Sequence, residues 1–181
     1  FVTLEEIISA PVDSESHNTI ADVFINKNIS NKLVFPLIVE AQVSDFVLGI
    51  KNKSKLQNLG IPTPNSLLIY GPPGCGKTTL GHNIAQQLGL PLVIARLDTL
   101  VSSLLGKTSK NIRKLFSFAS EKPCVLFLDE FDAIAKARDD QNEIGELKRV
   151  VNSLIQNIDE YLGDNILIAA TNHHEILDKA I

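Results

Sequence analysis

The segment Gly71-Pro-Pro-Gly-Cys-Gly-Lys-Thr78 gathers glycines, a lysine and a hydroxyl into one short loop. Glycine lets a backbone curl tightly enough to aim several N–H groups at a single point. Such converging donors suit phosphate oxygens. The stretch that follows, Thr79 to Leu88, is patterned as a helix, and its N-terminus adds positive partial charge at the same place. Gly71, Pro72, Pro73, Gly74, Cys75 and Gly76 shape the cradle, and Thr79 lies in the first turn behind it. Lys77 is placed to reach the β and γ phosphates, and the Thr78 hydroxyl to ligate Mg²⁺. The apolar run Leu67-Leu-Ile-Tyr70 precedes the loop, so the pattern sits in the strand–loop–helix setting that gives it meaning. The chemistry implied is nucleoside-triphosphate binding.

Two further groups of polar residues fit that chemistry. The apolar run Cys124-Val-Leu-Phe-Leu128 ends in Asp129-Glu130, with Asp132 shortly after. Carboxylates at the end of a buried central strand lie beside a phosphate-binding loop in an open α/β sheet. Asp129 is expected to hold Mg²⁺, directly or through water, and Glu130 to polarise the attacking water. A second run, Ile166-Leu-Ile-Ala-Ala170, ends in Thr171-Asn172. Taken alone, Asn172 reads as a strand-terminating residue, a type common in turns. Beside the loop, its amide can hydrogen-bond the attacking water or the γ phosphate.

The elements that must position these groups follow from hydrophobic patterning. Strands are expected at Leu67–Tyr70, Leu92–Leu97, Val125–Leu128 and Ile166–Ala170. Between them, Ile112, Leu115, Phe116 and Ala119 form one apolar helical face, and Leu147, Val151, Leu154, Ile155 and Ile158 another. Gly89 before Pro91 reads as a helix stop, and Gly60-Ile-Pro-Thr-Pro64 as a loop into the first strand. Alternating strands and helices predict an α/β fold with a doubly wound parallel sheet. Asp13–Asn18 is polar and loop-like, and Val34 to Gly49 shows no firm period.

With Gly71–Thr78, Val125–Glu130 and Thr171-Asn172 in this order, the chain resembles the AAA+ ATPases, matching their Walker A, Walker B and sensor 1 motifs. Asn111–Phe116 and Gly145–Asn152 resemble that family's intervening helices. The likeness runs from residue 33 to 181, with 1–32 as an N-terminal arm or the end of a preceding region. It implies a P-loop NTPase fold, the AAA+ large subdomain, with a five-stranded parallel sheet in the order 5-1-4-3-2. It also implies ATP and Mg²⁺ as ligands, and ATP hydrolysis coupled to moving a macromolecular partner, protein by preference, from a hexameric homo-oligomeric ring. A nucleotide-gated switch with little turnover and a DNA-acting motor are the alternative roles.

Where threading members of that family carry an aromatic–aliphatic–glycine pore motif, this chain has Leu104-Leu105-Gly106. Residues around Leu33–Phe35 are candidates for enclosing adenine. Arg138 and Arg149 are expected as solvated charges, and His173 and His174 as surface residues. The family's arginine finger and helical lid are expected beyond Ile181, so these residues alone should bind nucleotide and hydrolyse it slowly.

Composition agrees with a globular domain. The chain has 181 residues, 44% of them hydrophobic, and 17 basic against 21 acidic residues, for a net charge of −4. That balance argues against non-specific nucleic-acid binding as the main activity, while a local basic patch stays open. No apolar stretch reaches membrane-spanning length, and the two cysteines show no metal-ligand spacing. A nucleotide-dependent protein without a disulfide framework is expected in the cytoplasm. The chain opens on Phe1, as a piece of a longer protein does.

Overall fold

A computed structural model of the chain describes residues 11, 19–25, 34–97, 105–132, 146–161 and 165–173. Its elements, in order, are β1 (Asp22–Phe24), α1 (Leu37–Lys51), α2 (Lys53–Asn58), β2 (Ser66–Tyr70), α3 (Lys77–Leu88), β3 (Leu92–Arg96), α4 (Leu105–Glu121), β4 (Val125–Asp129), α5 (Glu146–Tyr161) and β5 (Ile166–Thr171). The strands form one sheet in the order β1-β3-β4-β5-β2. β3, β4, β5 and β2 are mutually parallel, and β1 runs antiparallel to β3 with Val23 opposite Val93.

The four expected strands are all present, each within a residue or so of its predicted limits, and they neighbour one another as the 5-1-4-3-2 order requires. The fifth strand among the described residues differs from that expectation. It is the short antiparallel β1 from the N-terminal arm, at the opposite edge, beside β3.

Strand residues alternate between two cores, as side chains on a pleated sheet must. On one face Leu92, Ile94, Val125, Phe127 and Ile168 pack against Val43, Phe46 and Val47 of α1 and Leu80, Ile84 and Ala85 of α3. On the other, Val93, Ala95, Leu126, Leu128 and Leu167 meet Ile112, Leu115, Phe116 and Ala119 of α4 and Val150, Leu154 and Tyr161 of α5. β4 is buried on both faces, which explains why its sequence is one unbroken apolar run.

Two expectations are corrected. Val34–Gly49, which shows no period, lies largely within helix α1, beginning directly after Pro36. Its pattern is blurred because Leu37, Ile38 and Leu48 are exposed at 83%, 69% and 53% alongside buried Phe46. Ile155 is 37% exposed, not part of the α5 seam. That seam runs through Val150, Leu154 and Tyr161, and Ile155 is turned about 100° from Leu154 around the helix. Side-chain placement of Leu147 and Val151 lies outside the described residues.

Candidate functional site

Parallel strands with helices on both faces leave a crevice at their carboxyl ends, where the direction of chain winding reverses. β2 and β5 end in register there, Tyr70 opposite Thr171, and Asp129 closes β4 beside them. The loop leaving β2 is tied to this edge by the Gly71 N–H, which donates to the Thr171 carbonyl at 3.3 Å.

The loop then makes its turn on glycine. Gly74 has φ of 76° and Gly76 of 92°, in the left-handed region that side chains avoid. At Gly71 a Cβ would lie 2.9 Å from Cys75 Sγ, so only glycine fits there without a shift. Gly76 hands the chain to α3, whose first residue is Lys77, leaving the first-turn N–H groups of α3 pointing outward.

Lys77 folds back over this loop. Its Nζ donates to the Gly71 carbonyl at 2.8 Å, to the Pro72 carbonyl at 3.1 Å and to Asn172 Oδ1 at 2.7 Å. Thr78 Oγ1 donates to Asp129 Oδ2 at 2.9 Å, and Asp129 Oδ1 accepts from the Glu130 N–H at 3.0 Å. Glu130 has φ of 55°, the sole positive φ outside glycine among the described residues. Such strain collects at functional sites, where surrounding structure holds it. Here the kink turns the chain sharply out of β4 and sets Glu130 in the wall of the cleft.

Together these residues line an open cavity of about 350 Å³. Pro73, Gly74, Gly76 and Thr79 form the loop side, and Lys77, Thr78, Asp129, Glu130 and Asn172 supply the charged and polar groups. The sequence-predicted catalytic and metal-ligating residues therefore meet in one place. Gly71, Pro72 and Cys75 complete the loop behind it.

The donor set fits a magnesium nucleotide. Turned N–H groups and an ammonium suit phosphate oxygens, and a hydroxyl beside a carboxylate suits a hard cation. Among the described residues no group of three His, Cys, Asp or Glu could hold a metal. A Mg²⁺ here would take Thr78 and Asp129 with phosphate oxygens, the usual sharing for that ion.

Of the adenine candidates, Val34 is 83% exposed, while the Phe35 ring edge lies 3.9 Å from the position of a Cβ on Gly76. Leu33 lies outside the described residues. The same holds for Leu104, Arg138, His174 and the side chains of Leu105 and Arg149. His173 is exposed, as expected, and its N–H donates to Thr171 Oγ1 at 3.0 Å.

One residue carries more of the site than its sequence context suggests. Asp132 is 4% exposed, and its Oδ1 accepts from Thr171 Oγ1 at 3.2 Å and from the Asn172 N–H at 3.3 Å. Its carboxylate follows Asp129-Glu130 closely, but nothing local announces a partner far along the chain.

Comparison with known proteins agrees with this arrangement. The model of the family described as "ATPase family associated with various cellular activities (AAA)" matches residues 67–181. An uncharacterized AAA family ATPase, y4kL, of Sinorhizobium fredii is 50% identical over 135 residues, covering 75% of this chain and 41% of that protein. The proteasome-activating nucleotidase of Methanococcus vannielii is 38% identical over 139 residues, covering 74% of this chain and 34% of that protein. Nuclear valosin-containing protein-like of Mus musculus is 33% identical over 166 residues, covering 90% of this chain and 18% of that protein. The chain thus spans at most 41% of the length of these three relatives.

Proposed function

The chain belongs to the AAA family of ATPases, and on that premise we propose that it binds Mg-ATP in the cleft at the end of β4 and hydrolyses the γ-phosphate bond. The observation that carries this reading is the meeting of Lys77, Thr78, Asp129, Glu130 and Asn172 around one cavity. Within it, Lys77 bonds Asn172 at 2.7 Å and Thr78 bonds Asp129 at 2.9 Å.

Each group has a task. Lys77 exchanges its carbonyl and amide partners for β and γ phosphate oxygens, joined by the N–H groups of the loop. Thr78 and Asp129 would hold Mg²⁺, which when bound would supply positive charge against the phosphate oxygens. Glu130 accepts a proton from the attacking water, and the Asn172 amide orients that water in line with the bond that breaks. The charge that develops meets donors already in place, so little reorganisation is needed.

In the whole protein we assign this chemistry to a homo-oligomeric, hexameric ring that remodels a macromolecular partner, protein by preference, in the cytoplasm. Support for assembly comes from the likeness to the 26S proteasome subunit RPT4 of Saccharomyces cerevisiae, 34% identical over 139 residues. No helix among the described residues is long and apolar enough to cross a membrane.

The test compares wild type, Glu130→Gln and Lys77→Ala in the full-length protein, measuring ATP affinity and steady-state turnover. Glu130→Gln should bind ATP as wild type does and lose turnover by about 10²-fold or more, the scale of a lost general base. Lys77→Ala should lose binding. Equal turnover in wild type and Glu130→Gln would sink the role given to Glu130.

A further inference from the structure

We propose that Asp132 is a positioning residue for this reaction, setting Asn172 through the carboxylate bridge it makes to the end of β5. The proposal rests on the ATPase reading above and extends it to a residue that does not line the cleft.

Three bonds lace the turn after β4 to the tip of β5. The Phe131 N–H donates to the Ala170 carbonyl at 2.8 Å. Asp132 Oδ1 accepts both from Thr171 Oγ1 at 3.2 Å and from the Asn172 N–H at 3.3 Å. Thr171 Oγ1 in turn accepts from the His173 N–H at 3.0 Å, so this one hydroxyl joins the carboxylate to the backbone beyond the strand. Thr171 is 0% exposed and Asp132 4%, so water competes little for these bonds.

Consequently the backbone of Asn172 is held from below by Asp132, while its side-chain oxygen meets Lys77 Nζ at 2.7 Å. A relay runs from the β4 turn, through β5, to the lysine of the loop. Asn172 stands just beyond the last residue of β5, where no further ladder bond fixes it. The carboxylate does that instead. Its position also couples the two strand ends: the turn that carries Glu130 is the turn that holds Asn172. The separation of the water-activating and water-orienting groups is thereby set within one short segment.

The test uses the full-length protein with Asp132→Ala, Asp132→Asn, Thr171→Val, Asn172→Ala and the double variant Asp132→Ala/Asn172→Ala. For each, kcat and KM for ATP are measured, with thermal unfolding alongside. Asp132→Ala should lower kcat by about 10–100-fold, the scale expected for misplacing a reacting group by about an ångström. KM should stay within about threefold, because phosphate binding belongs to the loop. The double variant should be no slower than the slower single variant, as residues acting as one unit are non-additive. Asp132→Asn, which keeps an acceptor oxygen, should recover most of the activity. Thr171→Val removes only the hydroxyl and should give a smaller kcat loss that likewise vanishes in the Asn172→Ala background. It carries the test if Asp132→Ala proves unstable.

Wild-type kcat in Asp132→Ala, losses that multiply in the double variant, or an Asp132→Asn protein as slow as Asp132→Ala would each overturn the proposal alone. Full turnover in Asn172→Ala would remove the role given to Asn172 and the proposal with it, whereas absence of turnover in wild type would overturn the ATPase reading beneath it.

Discussion

Gly81 offers a direct test of how packing sets the geometry of the phosphate site. It lies on the buried face of α3, where a Cβ would stand 2.5 Å from Cδ2 and Cε2 of Phe127 on β4. Ordinary contact starts at 3.4 Å, so Gly81→Ala requires about 0.9 Å of separation, the difference between the two distances. Phe127 is fully buried, and in a close-packed core its ring has no free volume to swing into. Overpacking destabilises by about 1–3 kcal/mol, while replacing a mid-helix glycine with alanine gains about 1 kcal/mol. The balance is a loss near 1 kcal/mol, which lowers the melting point by about 2–4 °C in a domain of this size. The functional effect should be larger than the thermodynamic one. α3 carries Lys77 and Thr78 in its first turn, and Thr78 sits 2.9 Å from Asp129. A misplacement of about 1 Å can reduce rate by about 10²-fold. Urea unfolding and ATP turnover of the full-length protein measure the two effects separately. Gly49→Ala in α1 is the control: its Cβ would meet only Thr63 Cγ2, at 3.3 Å, which must give by a few tenths of an ångström against the same helix-propensity gain, so turnover should stay at wild type and stability should not fall as in Gly81→Ala. A Gly81→Ala protein at least as stable as wild type, with unchanged turnover, would refute the link between α3 packing and the site.

The two cysteines should behave oppositely toward a thiol-alkylating reagent. Cys75 is exposed in the loop and should react at neutral pH, with Mg-ATP slowing the reaction as the site fills; mass spectrometry of the labelled chain checks this, and indifference to Mg-ATP would place the nucleotide elsewhere. Cys124 is buried, and burial pushes its thiol above the ordinary value of 9.0, with a weaker opposing effect from the Tyr161 hydroxyl, so it should react only after unfolding. Burial, and then Cys124 itself, likewise push the Tyr161 hydroxyl up. For both groups the folded pKa lies above the unfolded one, so their contribution to stability is intact below the ordinary values and is lost as pH rises past them. Urea unfolding from pH 8 upward should therefore show stability falling from about pH 9, more gently in Cys124→Ala than in wild type; identical slopes would remove the thiol from the account.

The sequence was most legible where burial is two-sided. Val125–Leu128 and Ile166–Ala170 are continuous apolar runs because α-helices cover both faces, and the polar residues that end them stand out as site candidates. α1 was hidden because its exposed Leu37 and Ile38 mask the periodicity that buried Val43, Phe46 and Val47 would otherwise show. β1 spans only Asp22–Phe24, too few residues for any period to appear. Asp132 was visible as a carboxylate, but its role depends on a partner 39 residues away, and Lys77 meets Asn172 across 95. Contacts at such separations are set by strand order, which local pattern does not specify.

That strand order also explains why the motifs should respond as one unit. β5 lies between β2 and β4, so its tip is the meeting point of all three. Its Thr171 carbonyl accepts from Gly71 at the start of the loop, and its Ala170 carbonyl accepts from Phe131 in the turn after β4. Its Asn172 side chain accepts from Lys77, and its Asn172 backbone is held by Asp132. Displacing β5 by substitution in its core therefore moves the Asn172 amide that Lys77 meets and the Ala170 carbonyl that anchors the Glu130 turn together. An effect seen at one of the three motifs should be visible at the other two, and this coupling, more than any single side chain, makes the cleft a preorganised phosphate site.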